Sequence, residues 1–441
     1  VPKVDISLAF GRLTLHTSDR ARVQTQDLIQ DNAVLRHRTW GTEADVRLVR
    51  RLLREGTIGA LAEAREWRIG KGFHKTDRSA EKLSPARFRK IPYLNARAIP
   101  RHWPVLPETS LSRFPKEIDS VTTYGAHEGT IYSGPRVLFP DGLSADLEMR
   151  ATYAEGAFSF QHTVAAICGQ EGDEDMLRFL AIYLRSPLVR YLAMQTAFSP
   201  SSERERITVA EVSALPLAQP DTPERRKIVR RVATISRSLE RQVNQILVAE
   251  EPDLSEAYEL VMAYMGLSDM EVGLVHDITQ WALPSRQSSV NGAALTPWQS
   301  APDQRDLLAY ARALQRELMS MRDARRGKGQ FEVTVHAGRR FSRRGVGVIE
   351  VKIHNAGGPR ASRVDNQTLE AVEALVARLA KEGVMPMEVV ENLFLSSDVC
   401  VLHEDHAYLI KPLACRLWRI GLASEDAARL VAGAAAQGPA A

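Results

Sequence analysis

The chain is poor in cysteine. Its 441 residues hold three, Cys168, Cys400 and Cys415, far apart and in no metal-ligand spacing. That excludes a disulfide framework and leaves buried thiols of a reducing compartment as the expectation. No apolar run reaches the ~18 residues that a membrane-spanning helix needs. No charged stretch followed by an apolar one opens the chain, so a cytoplasmic protein away from membranes is expected. Val1 stands where methionine would, as processing or excision from a longer chain would leave it. A Gly-x-Ser-x-Gly elbow, a phosphate-binding Gly-Lys-Ser/Thr loop and a repeat of solenoid period are all missing. Excess charge is small too: 58 Lys and Arg against 54 Asp and Glu give +4.

What is present is an ordinary globular composition, 44% hydrophobic and 25% charged, enough to bury a sizeable core. At roughly 150 residues per domain the length allows about two to four domains. The charge is uneven, and its distribution matters more than its sum. Basic residues crowd positions 65–101, from Arg65, Arg68, Lys71 and Lys75 through Arg87, Arg89 and Lys90 to Arg97 and Arg101. They crowd again at Arg225, Arg226, Lys227, Arg230 and Arg231, and at Arg339, Arg340, Arg343 and Arg344. Each run is either a solvated face or an electrostatic footprint.

Periodicity sets the organisation. Val4, Ile6, Leu8 and Phe10 alternate, continued by Leu13 and Leu15, and predict an opening strand. Val46, Leu48, Val49, Leu52, Leu53, Ile58 and Leu61 predict a helix over 43–64, interrupted at Gly56. From Trp67 to about Phe160, prolines recur among short apolar runs and favour short strands, with 137–139 and 157–160 the best candidates. A helix is predicted over 173–195, broken or restarted at Ser186-Pro187. Ile228, Val232, Ile235, Leu239, Val243 and Ile246 step close to a heptad seam and predict a long helix over 224–249, able to pack on its own domain or on a partner. Helices follow over 254–265 and 268–278, then a polar linker over 284–303. The last third combines helices and strands, with a hairpin on Glu404-Asp405-His406 and a final helix capped by Ser424. The expected architecture is α+β. It has a strand–helix connector (1–64), a domain of short strands and helices (65–220), a long helix with a helical element (221–283), the linker (284–303) and a smaller α+β domain (304–441).

Several segments, in order, carry a resemblance. They are residues 35–45 around Arg38-Thr39-Trp40-Gly41, and Trp67-Arg68-Ile69-Gly70-Lys71-Gly72-Phe73. Gly134-Pro135-Arg136-Val137-Leu138 and Phe158-Ser159-Phe160 follow. Then come Gly172-Asp173-Glu174-Asp175-Met176-Leu177, Ser186, Leu188, Tyr191, Arg206-Ile207-Thr208 and Leu215-Pro216-Leu217, and later Gly266-Leu267-Ser268-Asp269-Met270-Glu271. This order resembles the region downstream of the catalytic domain in adenine-specific DNA methyltransferases of bacterial restriction-modification and phage-defence systems. It is also similar to type I specificity subunits. The resemblance covers roughly residues 30–280, while 300–441 resemble only accessory C-terminal regions. It implies a target-recognition domain followed by a long helix, acting on double-stranded DNA beside an adenine methyltransferase subunit or an upstream catalytic domain. The chain departs from the family in lacking any Pro-Pro pair. The family's Asn/Asp-Pro-Pro-aromatic motif holds the flipped adenine, and its glycine-rich turn for S-adenosylmethionine is also missing. Methyl transfer by this chain alone is therefore not expected, and no cofactor is expected.

A recognition module needs cations on phosphates for affinity and side chains on base edges for sequence choice. The candidates are Lys71 and Lys75 in a predicted glycine-containing loop (70–75), Arg136 entering a strand, and Ser199, Arg204 and Arg206 in a polar loop. An arginine fork matches the major-groove edge of guanine. Each candidate has a structural alternative, an exposed turn or an internal Arg–acid pair. Two other functions compete. Glu350-Val351-Lys352 on a strand is how metal-dependent nucleases place a carboxylate on magnesium and a lysine near water, although Asp323 and Glu332 are poor second acids. His403 and His406 flank a turn without a third metal ligand. The last alternative is an interaction scaffold of a defence complex.

Overall fold

The computed structural model describes residues 3–7, 20–30, 39–75, 84–122, 130–144, 146–197, 205–245, 251–285, 300–339, 345–355, 360–387, 399–403 and 405–437. The class is α+β, with helices and several separate sheets. The chain divides into two compact units, one of Leu48–Ser268 and one of Val1–Arg47 with Asp269–Ala441.

In the Leu48–Ser268 unit a four-stranded sheet runs in the order Arg68–Lys71, Val164–Cys168, Arg136–Pro140, Thr152–Ala154, antiparallel throughout. Its two central strands are wholly buried, so they read as continuous apolar runs rather than alternating ones. A three-stranded sheet places Tyr93–Leu94 between Leu111–Ser112 and Ser159–Phe160. Phe73, Phe88, Phe114, Tyr132, Phe158 and Phe160 belong to one aromatic-rich core. The predicted helical interruptions are both present, with Glu43–Arg54 followed by Ile58–Ala64, and Glu174–Arg185 by Pro187–Thr196. Thr57 caps one restart, its hydroxyl accepting from the Ala60 N–H at 3.1 Å. Ser186 caps the other, with Pro187 in the first turn where its missing N–H costs nothing.

The long helix spans Pro223–Val243 and packs against Glu174–Arg185 and Ser255–Tyr264. It buries Val229, Val232, Ala233, Ser236 and Leu239. That face is rotated from the expected seam. Ile228, Ile235 and Val243 are only half-buried, and Ile246 lies outside the described residues.

In the other unit a five-stranded sheet runs Arg363–Thr368, Gln330–Arg339, Gly345–His354, His406–Pro412, Val399–His403. All neighbours are antiparallel except Arg363–Thr368, which lies parallel to Gln330–Arg339. One face packs Val333, Val335, Ile349, Val351 and Leu409 with residues of the helices Gln304–Ala324 and Ile420–Gln437. The other packs Val346, Val348 and Ile410 with Val372, Val376 and Leu379 of Leu369–Lys381. The last helix begins at Ile420, one turn before the expected cap, so Ser424 is a buried interior residue. Lys3–Ser7 pairs with Arg20–Gln24. Leu8, Phe10, Leu13, Leu15 and most of the expected linker lie outside the described residues.

Candidate nucleic-acid interface

Lys71 does not sit in a loop. It ends the strand Arg68–Lys71, which pairs with Val164–Cys168 at the edge of the four-stranded sheet. Its Nζ lies 2.7 Å from Asp141 Oδ2, and Arg206 Nη2 lies 3.2 Å from the same oxygen. Two predicted DNA-contact residues, distant in sequence, therefore meet at one carboxylate. The backbone fixes this meeting. The Ile207 N–H donates to the Asp141 carbonyl at 3.1 Å, and the Leu143 N–H to the Glu205 carbonyl at 3.0 Å. The Arg206 side chain is 50% exposed and Lys71 33%, so both can still turn to a ligand. Both cations share this one carboxylate, the internal pairing that stood as the structural alternative, with part of each side chain still open to solvent. Lys75 is exposed beyond this strand. Ser199 and Arg204 lie outside the described residues.

Arg136 is a correction. Its side chain is fully buried, with the guanidinium 4.0 Å over the Phe158 ring and donating to the carbonyls of Gly134 at 2.7 Å and Gly156 at 2.9 Å. Burial pushes its pKa down to about 10, against the opposing pull of Cys168 and Tyr153. A guanidinium so enclosed ties two turns together and does not meet a duplex on the surface. The run at 225–231 is also partly spoken for. Arg225 pairs with Glu55 and, at 3.2 Å, with Asp221. Arg226 donates to the Asp221 carbonyl at 2.7 Å, and Arg231 pairs with Glu256 at 2.6 Å. Internal acids and a carbonyl thus answer much of the charge that opposes the helix dipole.

The structure also shows cations that sequence reasoning did not single out. An open groove of about 810 Å³ beside the three-stranded sheet is lined by Arg89, Lys90, Arg113 and Lys116. Arg89 and Lys90 stood within a basic run, but Arg113 and Lys116 did not. Their only local signal is cations interleaved with Phe114 and Pro115.

The Glu350-Val351-Lys352 motif lies on the strand Gly345–His354 as expected. Its carboxylate is engaged on both oxygens, by His336 Nε2 at 3.0 Å and His406 Nε2 at 3.5 Å. The outer ring nitrogens face Asp365 at 3.4 Å and Asp405 at 2.6 Å. The result is an alternating chain of acids and imidazoles across four strands. Glu332 is spanned by His354 at 2.8 Å and Arg363 at 3.7 Å. Among the described residues no three His, Cys, Asp or Glu side chains converge as a metal site, so this geometry lends the nuclease reading no support.

The hydrogen bond from His336 holds the Glu350 carboxyl below its ordinary value of 4.5, against the opposing effect of burial. A depressed carboxyl stabilises the fold fully above its unfolded value and loses that contribution as pH falls through the folded one. Glu350→Gln is thus expected to cost about 1–2 kcal/mol at pH 7, with the gap to wild type closing below pH 4.5. Urea denaturation at both pH values measures it. A pH-independent gap would show that the carboxylate's charge is not what the histidines hold.

No protein-family model matches the chain, and no curated protein matches it significantly.

Proposed function

We propose that the chain is a DNA sequence-recognition subunit or fragment. It places the Leu48–Ser268 unit on double-stranded DNA and directs a partner or upstream adenine methyltransferase to a target sequence in restriction-modification or phage defence. The observation that carries the reading is the meeting of Lys71 and Arg206 at Asp141. Asp141 holds the two cations together at the end of a rigid sheet, and the half-exposed Arg206 fork can reach a phosphate or a guanine edge. The order of segments resembling target-recognition regions supports the same reading. The missing Pro-Pro pair leaves methyl transfer with the partner.

The test is selection of bound duplexes from a random-sequence library, followed by sequencing and salt titration. One enriched sequence is expected. Lys71→Ala should lower the slope of log K against log salt by about 0.9, the effect of one phosphate left without its cation. If Arg206 reads a base, Arg206→Ala should relax choice at one position by about 1–3 kcal/mol. DNA binding without enrichment would overturn the specificity role, and no binding would leave the scaffold reading in its place.

A further inference from the structure

We infer that the groove between Arg89-Lys90 and Arg113–Lys116 is a second contact for the sugar–phosphate backbone of the same duplex, which rests on the recognition reading above. Its construction is local and firm. In Pro85–Lys90, Phe88 turns into the core, where its ring lies 5.0 Å from Phe73 and 4.9 Å from Tyr132. The residues that follow it, Arg89 and Lys90, are exposed. Phe114 is likewise anchored, 5.7 Å from Phe73 and 5.8 Å from Tyr93, leaving Arg113 and Lys116 exposed on either side. Pairing of Tyr93–Leu94 with Leu111–Ser112 brings the two segments together. Each cation pair thus sits beside a buried aromatic ring that fixes its backbone, while the long exposed side chains are left to order on an anion.

The charge in the groove is largely uncommitted. Among the described residues Lys90, Arg113 and Lys116 have no ion-pair partner, and Arg89 has only Asp119 at 3.9 Å, which is itself 91% exposed. Arg89 also donates to the Ile118 carbonyl at 3.1 Å, which steadies it in place. Among the described residues Glu117, next to Lys116, is exposed as well. Ile91, Pro92 and Leu111 line the same groove. Cations and apolar side chains lining one groove match a backbone that alternates charged phosphates with apolar sugar edges. An acidic peptide would bring carboxylates but nothing repeating for the apolar side chains. Among the described residues the aromatic that lines the groove, Phe114, is buried, so it offers no face for stacking unpaired bases.

The experiment measures binding of the full chain to a labelled random-sequence duplex by anisotropy across a potassium chloride series. Arg113→Ala/Lys116→Ala is compared with wild type and with a charge-matched control in the other unit, Lys328→Ala/Lys381→Ala. Thermal melting confirms that each variant is folded. The groove variant is expected to lower the salt slope by about 0.9 for each phosphate left without its cation, while the control leaves the slope in place. An unchanged slope in the groove variant overturns the inference and leaves the recognition reading standing. An equal fall in the control also overturns it, because the effect would belong to overall charge. Failure of wild type to bind any duplex overturns both. Polyglutamate that displaces the duplex as readily as unlabelled DNA overturns the choice of ligand.

Discussion

Gly72→Ala is expected to destabilise the Leu48–Ser268 unit by about 3 kcal/mol or more, at the upper end of what overpacking costs. The backbone torsion at Gly72 is one that any residue can adopt, so the reason is space. A Cβ there would overlap the Phe160 carbonyl oxygen outright and stand 2.7 Å from the Gln161 carbonyl carbon and oxygen. Both obstacles are backbone and cannot rotate away. They are held in turn, since the Gly72 N–H donates to the Val164 carbonyl at 3.1 Å and the Phe73 N–H to the Phe160 carbonyl at 3.2 Å. Relief would require separating the two sheets where Phe73 enters the aromatic core. Two further glycines calibrate the result by denaturant unfolding. Gly142 has nothing within 4 Å and no left-handed torsion, so Gly142→Ala should change little. Gly134 is equally open but sits at φ +77°, so Gly134→Ala should cost only about 1 kcal/mol of backbone strain. Equal small losses at Gly72 and Gly142 would mean that the two backbones part easily.

Around Gly72 the sequence pattern alone misleads. Two glycines beside two lysines read as a loop open to phosphate. The glycine is instead demanded by a strand far away in sequence, and no local pattern records that neighbour. The same holds for Lys71 and Arg206: each was visible as a cation, but only the tertiary fold brings them to Asp141. Features written locally were legible. Gly56 and Ser186-Pro187 end one helix and start another because a glycine, a hydroxyl cap and a proline act within one turn. The long helix was legible as a helix but not in its buried face, since Ile228 and Val229 are both apolar and the packing of Glu174–Arg185 decides between them. Arg136 reads as a DNA contact because it enters a strand just after Gly134-Pro135, with a structural arginine as the alternative. The fully apolar Val137-Leu138-Phe139 after it was the sign of a strand buried on both faces. Ser424 followed by Glu425 and Asp426 has the pattern of a helix start, but the helix already begins at Ile420, so a local cap pattern can fall inside a helix.

Lys411→Ala is expected to cost the Asp269–Ala441 part of the fold about 3–5 kcal/mol, the range for breaking one side of a buried ion pair. Lys411 and Asp426 are each 4% exposed and in direct contact. The ammonium also donates to the Leu417 carbonyl at 3.2 Å and to the Tyr310 hydroxyl at 3.3 Å, and that hydroxyl donates to Asp426 at 2.6 Å. The network therefore ties the strand His406–Pro412 to the helices Gln304–Ala324 and Ile420–Gln437. Removing the lysine strands a carboxylate whose remaining partners are one hydroxyl and Arg429 at 3.5 Å. The large loss comes from that stranded charge and not from the pair's own worth, and a second variant separates the two. Lys411→Met/Asp426→Leu removes both charges while keeping most of the volume, and it should recover most of the lost stability because neither ion then has to be desolvated. Thermal and urea unfolding of wild type, Lys411→Met, Asp426→Leu and the double variant close the cycle, with Lys411→Ala measured beside them. Recovery in the double variant assigns the cost to desolvation. A double variant as unstable as Lys411→Ala would instead show that the bonds to Tyr310 and the Leu417 carbonyl hold the helices in place.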